Sequence, residues 1–348
     1  MKAAVLLAHE QPLEYADVPE PRIEAPTDVI VRIAAAGVCG SDIHVTRGRK
    51  VGPIRKPDFP YVIGHENAGW VEAVGDSVTA LAPGDPVLLH PKVSCGLCLM
   101  CRRGAETHCL AARFPGVDGT TPGGYAEYMR TDVRAVLKLP PGTDPIPLAP
   151  LADAGLSAYH AVRKAAAALP PDGTAVVIGV GGLGYFAVQL LRAFSPARIV
   201  AADLTAPRLR LAEELGADVA LESDGDLADR VRELTGGLGA EVVVDCVATG
   251  STPEQGLAML APLGRYVALG SEDGEICCRA VVATGRELAI EGSLVGTFAE
   301  LRELVSMTLR DRVKLVQTYY PLAEAAAALD DLLHGRVEGR AVLLPAVT

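Results

Sequence analysis

The chain has 348 residues, 49% of them hydrophobic, and a formal charge of −11 at pH 7. That length is about twice a typical domain and predicts two domains, with apolar sequence enough for two cores. The acidic balance argues against a general nucleic-acid binder, because phosphate neutralisation needs basic surface; no apolar run approaches the roughly 18 residues that span a bilayer.

Met1-Lys2 is followed by apolar Ala3 to Ala8, which meets His9-Glu10 where a signal peptide would carry small residues. The segment reads as a first β-strand, and the chain as cytoplasmic. Eight cysteines in such a chain point to metal or redox chemistry more than to disulfides. Through residue 150, short β-type runs such as Val29 to Ile33 and Trp70 to Val74 alternate with turns at Pro83-Gly84-Asp85, Pro122-Gly123-Gly124 and Pro140-Pro141-Gly142. An irregular, mostly β domain with long loops is expected. Arg47, Arg49, Lys50, Arg55 and Lys56 form a basic stretch, either a solvated loop or an entrance that attracts anionic ligands.

Two loops of this domain carry metal-ligand residue types. Cys39 lies in Gly37-Val38-Cys39-Gly40-Ser41-Asp42-Ile43-His44, and His65 in Gly64-His65-Glu66. Singly, each has an ordinary reading as a core cysteine or a hydrogen-bonded histidine. Together, ahead of a nucleotide domain, they suggest a site assembled in space. Cys95, Cys98, Cys101 and Cys109 then form a C-x2-C-x2-C-x7-C array among Pro91, Gly96 and Gly104. Short turns let four thiolates converge on zinc at about 2.3 Å, and such a closed site is structural. An iron–sulfur cluster is the competing reading of this spacing.

After Pro150 the texture changes. An alanine-rich helix, Leu156 to Leu169, stops at Pro170-Pro171-Asp172-Gly173, and apolar strands then alternate with helices. Strands are expected at Ala175 to Ile178, Arg198 to Ala202, Glu241 to Asp245, Tyr266 to Leu269 and Leu288 to Ile290. Helices are expected at Leu183 to Phe194, Pro207 to Leu215, Leu227 to Leu234 and Pro253 to Leu260. This alternation predicts an α/β fold with a doubly wound parallel sheet covered on both faces. Gly179-Val180-Gly181-Gly182-Leu183-Gly184 joins the first such strand to its helix. In that context G-x-G-x-x-G is a dinucleotide turn: Gly179 for the turn, Gly181 for close approach of a pyrophosphate, Gly184 for helix–strand packing. Asp203 ends the next strand, where a carboxylate accepts bonds from an adenosine ribose and repels a 2′-phosphate. NAD is thus favoured over NADP, with Arg208 softening the preference. The tail offers helices at Phe298 to Leu309 and Leu322 to Leu333 and a strand at Ala341 to Leu344, expected to return to the first domain.

The order of G-V-C-G-S-D-I-H, G-H-E, four-cysteine loop and glycine-rich turn resembles the zinc-dependent medium-chain alcohol dehydrogenases over nearly the whole chain. The resemblance implies a GroES-like catalytic domain over 1–152, a Rossmann domain over 153–292, and a segment, 293–348, that rejoins the first. It implies two zinc ions per chain, and carries Cys39 and His65 across as ligands of a catalytic zinc. The third ligand is often cysteine in that family, whereas Asp153 stands here, as in a bacterial secondary-alcohol branch. Zinc with one thiolate, one carboxylate and a neutral histidine sums to zero charge, as with two thiolates. Glu66 is the rival ligand, and Asp42 is expected to orient His65. Ser41 and His44 are the implied proton relay, and Ser157, Val247, Leu269 and Val295 the implied neighbours of the nicotinamide. The implied activity is reversible hydride transfer between a small-molecule alcohol, secondary by this likeness, and NAD in a homo-oligomer. Polyol or amino-alcohol oxidation is the alternative within enzymes, and a non-catalytic NAD-binding protein the alternative outside them.

Overall fold

The structure, a computed structural model, describes residues 1–49 and 57–345. Lys50, Arg55 and Lys56 of the basic stretch lie outside the described residues. The chain divides into two compact units. One comprises Met1–Ala154, Thr297–Val305 and Leu315–Thr348; the other comprises Gly155–Gly296 and Ser306–Lys314.

The first unit is built on the ten-residue strand Asp28–Gly37, apolar at nearly every position and buried except at Arg32. It pairs antiparallel with Glu66–Val74, with Tyr128–Asp132 and, at its far end, with Arg340–Leu344. Pro86–Leu89 and Val136–Lys138 extend the sheet on one side, and Gln317–Pro321 closes the other edge. The amino-terminal apolar run forms the strand Lys2–Leu6 between Glu14–Asp17 and Tyr61–Val62. Gly37 is the register point that matters for chemistry, since it stands opposite Glu66 on one side and Val342 on the other. A Cβ at Gly37 would lie 1.9 Å from Glu66 Oε2, so only glycine leaves that carboxylate its place.

The second unit is a six-stranded parallel sheet in the order Val219–Glu222, Arg198–Asp203, Thr174–Ile178, Ala240–Asp245, Leu260–Ala268, Ala289–Gly292. Thr174–Ile178 is buried at every residue, as a central parallel strand covered on both faces must be. Successive strands run outward from it and then resume on its other side, leaving a crevice at its carboxyl end. Among the described residues, no helix is long and apolar enough to cross a membrane.

The elements differ from the sequence reading at their ends and edges. The helix expected through Leu260 stops at Ala258, and Leu260 heads a strand as long as Leu260–Ala268. Pairing Leu260 with Ala240 buries it, which outweighs one more helical turn. The helix expected over Leu322 to Leu333 opens with a tight turn, Leu322–Glu324, before Ala325–Leu333. Val219–Glu222 and Gln317–Pro321, both edge strands, contain no fully buried residue and carry shorter apolar runs than the central strands. Ala280–Arg286 buries no residue and so carries no helical stripe.

Candidate metal and dinucleotide sites

In the four-cysteine loop, Cys95, Cys98, Cys101 and Cys109 bring their sulfurs within 4.8 Å of one another. Cys98 Sγ is 3.5 Å and Cys95 Sγ 3.9 Å from Cys101 Sγ. Tetrahedral ligands at bond lengths of about 2.0–2.3 Å stand about 3.3–3.8 Å apart, so this spacing suits zinc and is far too wide for a disulfide. Backbone N–H groups of Leu97 and Cys98 point at Cys95 Sγ, and those of Cys95 and Ala111 at Cys109 Sγ. The N–H groups of Cys101 and Leu110 hold the Cys98 thiol down at about 6, while burial and neighbouring thiols push Cys101 up to about 11. Such a set ionises fully only against a cation.

The second cluster sits where three chain segments end. Cys39 precedes the helix Gly40–Thr46, His65 precedes the strand Glu66–Val74, and Asp153 follows the turn Ile146–Ala152. Cys39, His65, Glu66 and Asp153 each place a donor atom within 4.8 Å of the others. His65 Nε2 is 3.3 Å and Cys39 Sγ 3.9 Å from Asp153 Oδ2, again close to the spacing of tetrahedral zinc ligands.

Asp42, fully buried, organises this cluster. Its Oδ2 accepts the Cys39 N–H at 2.8 Å and the Tyr125 hydroxyl at 2.8 Å, while Oδ1 lies 3.2 Å from His65 Nδ1. With Nδ1–H donating to Asp42, His65 turns Nε2 toward Asp153 and Cys39, where a bound cation would replace its proton. Burial alone would lower the His65 pKa. The Asp42 charge and hydrogen bonds to Asp153, Asp42 and Cys39 outweigh it and hold the pKa well above the usual histidine value. The pocket is therefore electronegative and welcomes a cation. Gly64 permits the arrangement: its φ is +98°, and a Cβ there would lie 2.1 Å from the Tyr125 ring.

Glu66 faces the cluster but is otherwise engaged. Its carboxylate is paired with the buried Arg340 guanidinium, and Oε1 accepts the Ala154 N–H at 3.0 Å. Burial pushes its carboxyl up, against the pull of Arg340. Ser41 Oγ is 3.8 Å from Cys39 Sγ, and His44 is half-buried three residues on, the helical spacing that shares a face. Arg340, Tyr125, Lys92 and Phe114 are neighbours that sequence reasoning missed. Phe114 packs edge-on to His65 at 5.4 Å, and Lys92 stands 5.5 Å over the Phe114 ring. A charge inside the apolar strand Arg340–Leu344 was the one available signal for Arg340.

In the second unit, Gly179 has φ +83°, and a Cβ on Gly184 would lie 1.8 Å from Gly179 O. A Cβ on Gly181 would meet nothing within 4 Å, so backbone there is open to a ligand. Gly182 and Leu183 precede the helix Gly184–Phe194; the N–H groups of Tyr185, Phe186 and Ala187 turn back to Gly181 O and Leu183 O, and the partial positive charge of the helix N-terminus favours a phosphate at the turn before it. Asp203 Oδ2 accepts the Val180 N–H at 2.8 Å, and Oδ1 accepts the Thr205 N–H at 3.1 Å. Arg208 Nη1 lies 3.8 Å from Asp203 Oδ2. Val247 packs on Gly179, whose Cβ would fall 2.2 Å from Val247 Cγ2. Ser157 and Leu269 are buried, as is Val295, whose φ of +52° is strained for a β-branched residue. The donors and the open backbone fit a dinucleotide.

Two family models match the chain: the alcohol dehydrogenase GroES-like domain over residues 25–141 and zinc-binding dehydrogenase over residues 182–310. The NAD-dependent alcohol dehydrogenase of Sulfurisphaera tokodaii is 35% identical, over 99% of this chain and 100% of its own. An alcohol dehydrogenase of Geobacillus stearothermophilus is also 35% identical, over 99% of each chain. The crystal structure of the alcohol dehydrogenase from the hyperthermophilic archaeon Aeropyrum pernix superposes with a TM-score of 0.95 at 43% identity, covering 99% of this chain and 100% of that one.

Proposed function

The chain belongs to the zinc-binding alcohol dehydrogenase family, and from that premise we propose which of its residues carry out the NAD-dependent interconversion of an alcohol and a carbonyl compound. Cys39, His65 and Asp153 hold a catalytic zinc; Cys95, Cys98, Cys101 and Cys109 hold a structural one. The observation that carries this reading is the cluster of buried donors within 4.8 Å, with His65 fixed by Asp42. When bound, zinc supplies Lewis acidity at the alcohol or carbonyl oxygen and NAD supplies a hydride acceptor.

The chain's own residues do the remainder. Asp42 fixes the His65 ring and the Cys39 backbone together. Ser41 Oγ takes up the alcohol proton as it gives up its own hydroxyl proton, and the His44 ring delivers that proton toward water. Phe114, against His65, narrows the approach and excludes water from it. Arg340 holds Glu66 beside the metal ligands without making it one of them. Gly179, Gly181, Gly182, Leu183 and Gly184 cradle the pyrophosphate, and Asp203 accepts from the ribose. Ser157, Val247, Leu269 and Val295 line the nicotinamide. We assign a secondary alcohol as substrate from the aspartate ligand, and a cytoplasmic homo-oligomer as the working form.

The test is NADH formation across secondary alcohols, primary alcohols and polyols, with and without a chelator. Turnover of secondary alcohols that chelation abolishes and zinc restores is the expected result. Preference for polyols would replace the substrate assignment. NADH binding with no alcohol-dependent reduction of NAD would overturn the enzymatic reading.

A further inference from the structure

The sheet order puts a second loop opposite the glycine-rich turn. Strand Ala240–Asp245 neighbours Thr174–Ile178 on the side away from Arg198–Asp203, so residues 246–250 form the other wall of the crevice. Asp203 marks the adenosine side. Residues 246–250 therefore lie on the nicotinamide side.

This loop is not held by ordinary turn geometry. Ala248 has φ +52°, a conformation that alanine adopts only under constraint. The constraint is Asp245, fully buried at the end of its strand. Its Oδ1 accepts the N–H groups of Val247 at 2.9 Å and Ala248 at 2.8 Å. Its Oδ2 accepts the hydroxyls of Thr252 and Tyr266, each at 2.8 Å. One oxygen shapes the loop and the other anchors the carboxylate to the next helix and the next strand. Tyr266 is itself fixed, because Gly256 lets the helix Thr252–Ala258 sit on its ring; a Cβ there would lie 2.5 Å from Tyr266 Cε2. Burial and the Asp245 charge keep the phenol protonated and donating.

We propose that Asp245, anchored by Tyr266 and Thr252, is a positioning residue that sets loop 246–250 against the nicotinamide half of the cofactor. It works through Val247, which touches the glycine turn, and its four accepted hydrogen bonds leave it no part in proton transfer. The inference rests on the reading of the second unit as an NAD site. The role is geometric and not one of charge. An asparagine could keep its carbonyl on the two backbone N–H groups and donate its amide to two hydroxyls that reverse direction.

The test titrates NADH, followed by its fluorescence, and AMP, a probe of the adenosine half, against the parent chain and three variants, with thermal unfolding alongside. Tyr266→Phe should weaken NADH about three- to tenfold, the worth of one hydrogen bond, and leave AMP affinity unchanged. Asp245→Ala should weaken NADH further, again sparing AMP, and Asp245→Asn should recover most of the loss. In turnover, KM for NAD should rise while kcat changes little. If NADH and AMP weaken together in Tyr266→Phe, or NADH affinity stays at the parent value, the proposal fails; should Asp245→Ala not fold, Tyr266→Phe still decides. A parent chain that binds AMP but not NADH would instead overturn the cofactor reading itself.

Discussion

The Arg340 guanidinium lies against the Glu66 carboxylate, with Nε 3.0 Å from Oε2, although the two residues are 274 positions apart in sequence. Both are buried, and each heads a strand that flanks Asp28–Gly37. The pair ties the carboxyl-terminal strand to the residue that follows His65. Removing one partner of such a pair leaves an uncompensated buried charge, which costs about 3–5 kcal/mol. Arg340→Met should therefore lower unfolding stability by about that amount, and the double variant Glu66→Gln with Arg340→Met should recover part of it. Denaturant unfolding of the zinc-loaded protein measures both. Parent-like stability of Arg340→Met would show that the pair is not what holds this strand.

Tyr125 acts on the metal cluster at one remove. Its hydroxyl donates to Asp42, which in turn faces His65 Nδ1. Groups that orient a ligating histidine change metal affinity about 10–100-fold when removed. Asp42→Ala should fall in that range and Tyr125→Phe below it, as read by zinc competition with a chelator. Equal zinc retention by Asp42→Ala and the parent would remove Asp42 from the account.

The four-cysteine loop should behave differently. It carries exposed Leu97, Leu99 and Leu110 and little apolar core of its own, so a metal bound as proposed would be its main cohesion. Cys95→Ala should lower zinc content by one per chain and the melting temperature by about 5–10 °C, while NADH still binds. A variant that keeps two zinc ions and the parent melting temperature would contradict a structural zinc here.

If the proposed cofactor site is right, Asp203 should select between cofactors. Its carboxylate would then meet a 2′-phosphate with like charge, and Arg208, 3.8 Å from that carboxylate, would pair with the phosphate once the acid is gone. Asp203→Ala should raise the ratio of kcat/KM for NADP over NAD on the order of tenfold or more. An unchanged ratio would place the selecting group elsewhere.

The fold class was legible because its signals are local. Apolar strands alternating with helices announce a parallel sheet, and Gly179 to Gly184 is read from six consecutive residues. The four-cysteine loop is equally local. The second cluster was less so: Cys39, His65 and Asp153 come from three separate segments, and only resemblance joined the third to the others. Arg340, Tyr125 and Phe114 were out of reach, because nothing in the neighbouring sequence of each says which distant residue it meets. Asp245 was hidden for a related reason. At the end of a strand an aspartate looks like an ordinary turn residue, until the hydroxyls of Thr252 and Tyr266 are seen to converge on it.

The central claim is that Cys39, His65 and Asp153 hold the metal on which turnover depends. Its most direct test is metal content, NADH binding and alcohol oxidation measured together on Cys39→Ala and Asp153→Ala. Each variant should lose one zinc per chain and alcohol oxidation, while NADH affinity stays within about twofold of the parent. Full alcohol oxidation by both variants, with zinc content unchanged, would contradict it.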